Sequence, residues 1–237
     1  MIADELRALI VGGMLAEGDS LGHEPDLVER FGVSRPSLRE ALRILEAEGL
    51  ITVVRGALGG VVVHEPNEKM TARTAALVLQ ARNVPLADVY DARRMLEPTA
   101  AATVARSSRR RSAGKELLAL IDEQEAAVDD PEAFAAANAR FHELLVSLAG
   151  NQTLTIMAEM LNEIVARAVT AVAHETPAEQ SADVRKRGIR SQRRLVELIV
   201  DGDAAGAEEH WRAHMAVVGK VLLGQKATMV VDLLDHY

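Results

Sequence analysis

Val33-Ser34-Arg35-Pro36-Ser37-Leu38-Arg39-Glu40-Ala41-Leu42-Arg43-Ile44-Leu45-Glu46-Ala47-Glu48-Gly49 holds a helix start, two contrasting faces and a helix stop. Ser34 suits an N-cap, where its hydroxyl accepts a hydrogen bond from a backbone N–H that has no partner within the helix. Pro36 falls in the first turn, where a missing N–H costs nothing. Gly49 ends the segment. Leu38, Ala41, Leu42 and Leu45 recur at steps of three and four, forming one apolar stripe, while Arg35, Arg39 and Arg43 lie four apart along another side. The first stripe predicts packing and the second predicts contact with an anion. Arginines at this spacing also line ordinary solvated helix faces, so the neighbouring segments decide.

Upstream, Leu6, Leu9 and Ile10 mark one helix, loosened at its end by Gly12 and Gly13, and Leu27, Val28 and Phe31 mark a short second one before Gly32. Helix, short helix, glycine turn and arginine helix is the outline of a helix-turn-helix, whose later helix enters the DNA major groove. Downstream, the apolar and β-branched runs Leu50–Val54 and Val61–Val63 flank Arg55-Gly56-Ala57-Leu58-Gly59-Gly60, which predicts a hairpin wing with a glycine-rich tip. His64 to Glu68 breaks both periodicities. The expected division is a winged helix-turn-helix over 1–64, a linker over 65–69 and an all-helical domain over 70–237. That last domain reads as helices near 70–81, 86–106, 113–129, 131–149, 153–173, 182–201 and 203–224, with a further short helix over 228–237. The fold class is therefore mainly α: an N-terminal winged helix-turn-helix followed by an antiparallel bundle of six or seven helices.

The 237 residues, 49% hydrophobic, suffice for two cores. With no cysteine, disulfides and thiolate metal sites are excluded. The charged start Met1-Ile2-Ala3-Asp4-Glu5 and the lack of a long apolar run predict a cytoplasmic chain with no membrane partner. A net charge of −8 opposes nonspecific polyanion binding, because phosphate contact requires local positive charge. Residues 1–63 hold ten acids against six arginines, so the placement of the arginines must carry any DNA contact.

In the second half, polar residues interrupt apolar stripes, and burying them unpaired costs free energy. Arg93 and Glu97 sit among Leu86, Val89, Tyr90, Leu96 and Ala100, and Asn138 and His142 flank Phe134, Phe141 and Leu145. Gln192 begins the stripe of Leu195, Val196 and Ile199, and His214 lies between Trp211 and Val218. Their convergence on one interior polar site is the economical reading. The rival reading is a metal-dependent enzyme using His142 and His214. The chain carries no HExxH, GxSxG, phosphate-loop or cysteine-nucleophile motif, which disfavours it.

Residues 6–63 resemble the winged helix-turn-helix of GntR-family bacterial transcription regulators. Gly18, Leu21, Glu24, Leu27, Phe31-Gly32-Val33-Ser34-Arg35, Leu38-Arg39-Glu40-Ala41-Leu42, Leu45-Glu46 and Glu48-Gly49-Leu50-Ile51 carry the likeness. The remainder resembles the all-helical FadR-type (FCD) effector domain, through Tyr90-Asp91-Ala92-Arg93 with Glu97, Phe141-His142, Ala149-Gly150-Asn151, Gly202-Asp203 and His214. The resemblance implies a homodimeric repressor on a near-palindromic double-stranded DNA operator. It implies base and phosphate contacts from Arg35 and Arg39, with Ser34, Pro36 and Ser37 near the backbone and Arg55 and Gly56 reaching from the wing. An arginine can donate two hydrogen bonds to one guanine, and a hydroxyl can position a phosphate. FadR-type members commonly carry Pro-Ser-Glu-Arg before the second helix. Here Gly22-His23-Glu24-Pro25 stands instead, which removes one expected phosphate contact.

The resemblance further implies a divalent metal, zinc or nickel, held by Asp, His, His and His. The matching positions are Asn138, His142, Gln192 and His214, so metal binding should be weakened. A carboxylate or other small organic effector is then expected to touch Arg93, Asn138, His142, Gln192 and His214, with Arg167 also facing the site.

Overall fold

The computed structural model describes residues 2–54, 60–170 and 178–223, and within them the side chains other than 167–170, 178–181, 218 and 220–223. The chain divides into two compact units, Met1–Met70 and Thr71–Tyr237.

In the first unit, α1 (Ile2–Val11) buries Ala3, Leu6 and Ile10, and α2 (Glu24–Phe31) buries Leu27. Gly32 closes α2 at φ +62°, a left-handed conformation that favours glycine. In α3 (Arg35–Ala47), Ser34 Oγ accepts the Ser37 N–H at 3.3 Å, the expected cap, and Gly49 follows the helix at φ +74°. Leu38, Ala41, Leu42 and Leu45 are buried and join Leu6, Leu27 and Ile51 in one core. Strands β1 (Ile51–Val54) and β2 (Gly60–Val63) pair antiparallel, Ile51 opposite Val63 and Val54 opposite Gly60. The segment before α2 also lies along β2: Leu21 N–H donates to the Val61 carbonyl and Val63 N–H to that of Asp19. This second pairing covers the outer edge of β2 and carries no signal in the sequence.

The second unit contains α4 (Glu68–Ala81, from its fourth residue), α5 (Leu86–Arg106), α6 (Arg110–Ala126), α7 (Pro131–Ser147), α8 (Gln152–Thr170), α9 (Ala178–Asp201) and α10 (Ala204–Leu223). Among the described residues it contains no strand. The expected linker over 65–69 is shorter than predicted, because Glu68 and Lys69 already belong to α4. Helix α6 begins one turn before the expected start at 113, since Arg110, Arg111 and Ser112 are helical too. Helix α5 runs through the middle, packed against α10, α8, α7, α9 and α6. Its small residues Ala101 and Ala105 lie in the main core with Phe141, Leu195, Ile199 and Trp211. The expectations for Arg55, Gly56, the side chain of Arg167 and the helix over 228–237 lie outside the described residues.

Candidate DNA-binding and effector sites

Helix α3 splits its residues by chemistry. Its apolar stripe is buried, while Arg35, Pro36, Ser37, Arg39, Glu40 and Arg43 are exposed. Arg35, Pro36, Arg39, Glu40 and Arg43 border one open depression on the outer face. Arg39 Nε lies 2.9 and 3.0 Å from the two Glu24 carboxylate oxygens, which leaves the outer guanidinium nitrogens forward while its side chain remains 63% exposed. Arg35 has no ionic or hydrogen-bonding partner among the described residues. The Ser37 hydroxyl lies 2.8 Å from that of Ser34 at the helix start.

Arginine spacing alone does not reveal which guanidinium groups are already committed. Arg7 is: its Nε and Nη2 reach Glu48 at 2.8 and 2.7 Å, and its Nη1 reaches Asp4 at 2.7 Å. These pairs absorb two of the unit's acids away from the outer face of α3.

In the helical unit, Glu97 forms the hub of a buried polar cluster. Its Oε1 accepts from Arg93 Nε at 3.0 Å, and its Oε2 accepts from Trp211 Nε1 at 2.9 Å and from His142 Nδ1 at 2.6 Å. Arg93, Glu97 and His142 are each no more than 6% exposed. The Arg93 guanidinium also lies over the Tyr90 ring. One turn before His142, Asn138 Oδ1 accepts from Gln192 Nε2 at 2.9 Å, joining α7 to α9. His214 stacks on Trp211, ring centroids 4.4 Å apart, and Trp211 lies 5.4 Å from the His142 ring. The interior residues singled out by sequence are thus brought together as interlocking pairs, with His214 joined by stacking.

Burial by itself pushes the Glu97 carboxyl up, but the charges of His142 and Arg93 and the hydrogen bonds from His142 and Trp211 outweigh it and hold the group at about 2. Burial, assisted by repulsion from His142, pushes the His214 imidazole down to about 3. A histidine held neutral in the folded chain is protonated first in the unfolded chain. Between pH 6.5 and about 3 the unfolded state therefore binds the extra proton, and stability falls as pH falls. The expected slope from this group is about 1.4 kcal/mol per pH unit below its ordinary value. Urea unfolding at pH 7 and pH 5.5 should show that loss, and His214→Gln should flatten it; an unchanged slope in the variant would assign the acid sensitivity elsewhere.

The family-implied metal fits this interior poorly. Asn138 and Gln192 are neutral amides already bonded to each other, and the Glu97 oxygens are engaged by Arg93, His142 and Trp211. Among the described residues, no group of three or more His, Cys, Asp or Glu side chains is arranged to hold a metal ion.

Three residues of this interior carry more weight than their sequence positions suggested. Glu97 was visible as a carboxylate one turn from Arg93, but nothing local shows that it serves three donors from three helices. Trp211 reads as an apolar stripe residue, although a buried indole N–H needs an acceptor. Asn162 on α8 is 4% exposed, and neither of its amide atoms has a hydrogen-bond partner among the described residues. It lies one turn after Ala158, which packs with Ala100 and Val146. Those two follow Glu97 and His142 by about a turn, and this register places Asn162 at the level of the cluster.

Residues 1–63 match the family of bacterial regulatory proteins called the gntR family, and residues 88–217 match the FCD domain. The chain belongs to the GntR family. It is a DNA-binding transcriptional regulator with an FCD effector-binding domain. LutR, an HTH-type transcriptional regulator of Bacillus subtilis strain 168, is 26% identical over 216 residues, covering 91% of this chain and 97% of its own. A protein of Escherichia coli strain K12 assigned as the L-lactate dehydrogenase operon regulatory protein is 29% identical over 226 residues, covering 92% and 83%. A solved GntR structure from Streptococcus agalactiae superposes with a TM-score of 0.60 at 22% identity, covering 92% of this chain and 97% of that one, which shows the shared fold. No helix among the described residues of this GntR regulator is long and apolar enough to cross a membrane.

Proposed function

We propose that this GntR regulator is a cytoplasmic, homodimeric repressor that reads a near-palindromic operator with paired α3 helices and releases it when a small metabolite enters the FCD bundle. The observation that carries the reading is the outer face of α3, which presents Arg35, Ser37, Arg39 and Arg43 together while its other side is buried. Two copies are required because a palindrome presents the same half-site twice, and a ligand that changes the separation of the copies changes affinity at both. The effector is a carboxylate or other small organic molecule meeting Arg93, Asn138, His142, Gln192 and His214, a choice consistent with the E. coli relative's assignment to a lactate-dehydrogenase operon.

An enzymatic role for His142 and His214 has little support. Glu97 occupies one nitrogen of His142, and His214 lies flat against Trp211 with no carboxylate orienting it among the described residues. The test is fluorescence anisotropy on the DNA upstream of the protein's own gene, against a scrambled duplex, over a salt series. Specific binding that weakens steeply with salt is expected. Equal affinity for both duplexes would sink the sequence-reading role.

A further inference from the structure

We propose that the interior of the FCD bundle works without a divalent metal, the Asn138–Gln192 amide pair linking α7 to α9 directly, and that two substitutions suffice to convert it into a metal site. This rests on reading that interior as the effector site.

Three observations carry it. The four positions that match the family's metal ligands, Asn138, His142, Gln192 and His214, include no anionic group. A divalent ion there would bring two buried positive charges close to Arg93 with no free carboxylate to meet them, and an uncompensated buried charge is strongly disfavoured. Glu97 cannot serve, because its two oxygens already accept from Arg93, His142 and Trp211, and freeing one would orphan a buried donor.

The amide pair also consumes its own ligating capacity. Gln192 Nε2 donates to Asn138 Oδ1 at 2.9 Å, and Gln192 Oε1 is buried without a partner among the described residues. Exchanging O and N in both amides reverses the donor and acceptor, yet one oxygen remains tied up and one left over in either orientation. Amide oxygens suit hard cations such as calcium, whereas zinc and nickel are held by imidazole and anionic donors. The interior thus offers two imidazoles and a single free amide oxygen.

One feature of the cluster does favour a metal. His142 turns Nδ1 toward the Glu97 carboxylate at 2.6 Å, the arrangement that orients metal-binding imidazoles through the other ring nitrogen. This makes the site convertible. Asn138→Asp supplies the missing negative charge one turn from His142, and Gln192→His supplies a third imidazole on α9.

The test uses the full-length untagged chain, stripped with chelator and dialysed, titrated with zinc chloride alone and nickel chloride alone by calorimetry at pH 7, with no DNA present. The natural chain should take up no stoichiometric ion and show no metal-dependent rise in Tm. Asn138→Asp/Gln192→His should bind one ion per chain at least about 100-fold more tightly, with a rise in Tm that disappears when His142→Ala is added. One ion per natural chain, lost on His142→Ala or His214→Ala, would overturn the proposal. So would a folded double variant that gains nothing, since the amides would then not be what excludes the ion. If the double variant does not fold, the natural-chain titration and the single Gln192→His variant decide by the same criteria. The titration contains neither effector nor DNA, so failure of the metal-free site is distinguishable from failure of the effector-site reading, which a separate titration of the natural chain with L-lactate would test.

Discussion

Replacing Glu97 with alanine is expected to cost the helical unit about 3–5 kcal/mol, the range found when one member of a buried ion pair is removed. The carboxylate is 2% exposed and serves Arg93, His142 and Trp211 together. Its loss leaves a buried guanidinium without its counter-charge, and an indole N–H and an imidazole N–H without acceptors. For a unit of this size, that corresponds to a fall in Tm on the order of 10 °C, read by calorimetry with the transition assigned to the helical unit. An apolar replacement of the pair, Arg93→Met with Glu97→Leu, should recover the part of the loss that comes from the unpaired guanidinium, while Trp211 and His142 still lack their acceptor. If Glu97→Ala melts like the natural chain, Glu97 is not the hub described here.

The second large effect is expected at the operator. Arg35→Ala with Arg39→Ala should weaken specific binding at least about thirtyfold, since each well-placed arginine–guanine pair is worth about 1–3 kcal/mol. The two positions should behave differently when changed singly. Arg39 is steadied by Glu24 through Nε, so its outer nitrogens are oriented before DNA arrives. Arg35 has no described partner and pays its ordering cost on binding. Arg39→Ala should therefore relax base preference at one position of the half-site. Anisotropy with a set of singly substituted operators would measure it, and an unchanged preference profile would remove Arg39 from base readout. Circular dichroism and Tm should stay near those of the natural chain, because both side chains are exposed.

Much of the first unit could be read directly from residues that act locally. Ser34 caps through its own hydroxyl, Gly32 and Gly49 supply positive φ, and the α3 stripe is fixed by 3.6-residue periodicity, so each was visible within one turn of chain. Helix starts without such markers were less legible: Arg110, Arg111 and Ser112 extend α6 by a turn, and Glu68 and Lys69 take up the end of the expected linker. The edge pairing of residues 19–21 on β2 is made by backbone groups, so no periodic apolar signal in the sequence marks it.

The sequence by itself determined the two-part organisation, the family and the two faces of α3, because repeating apolar spacing and turn residues specify local structure wherever they occur. Tertiary structure alone decided which polar groups satisfy one another: Glu97 with donors from α5, α7 and α10, Asn138 with Gln192, and Arg39 with Glu24, 15 residues away. Such pairings depend on the packing of whole helices, and a buried charge takes whichever partner that packing brings within hydrogen-bond reach.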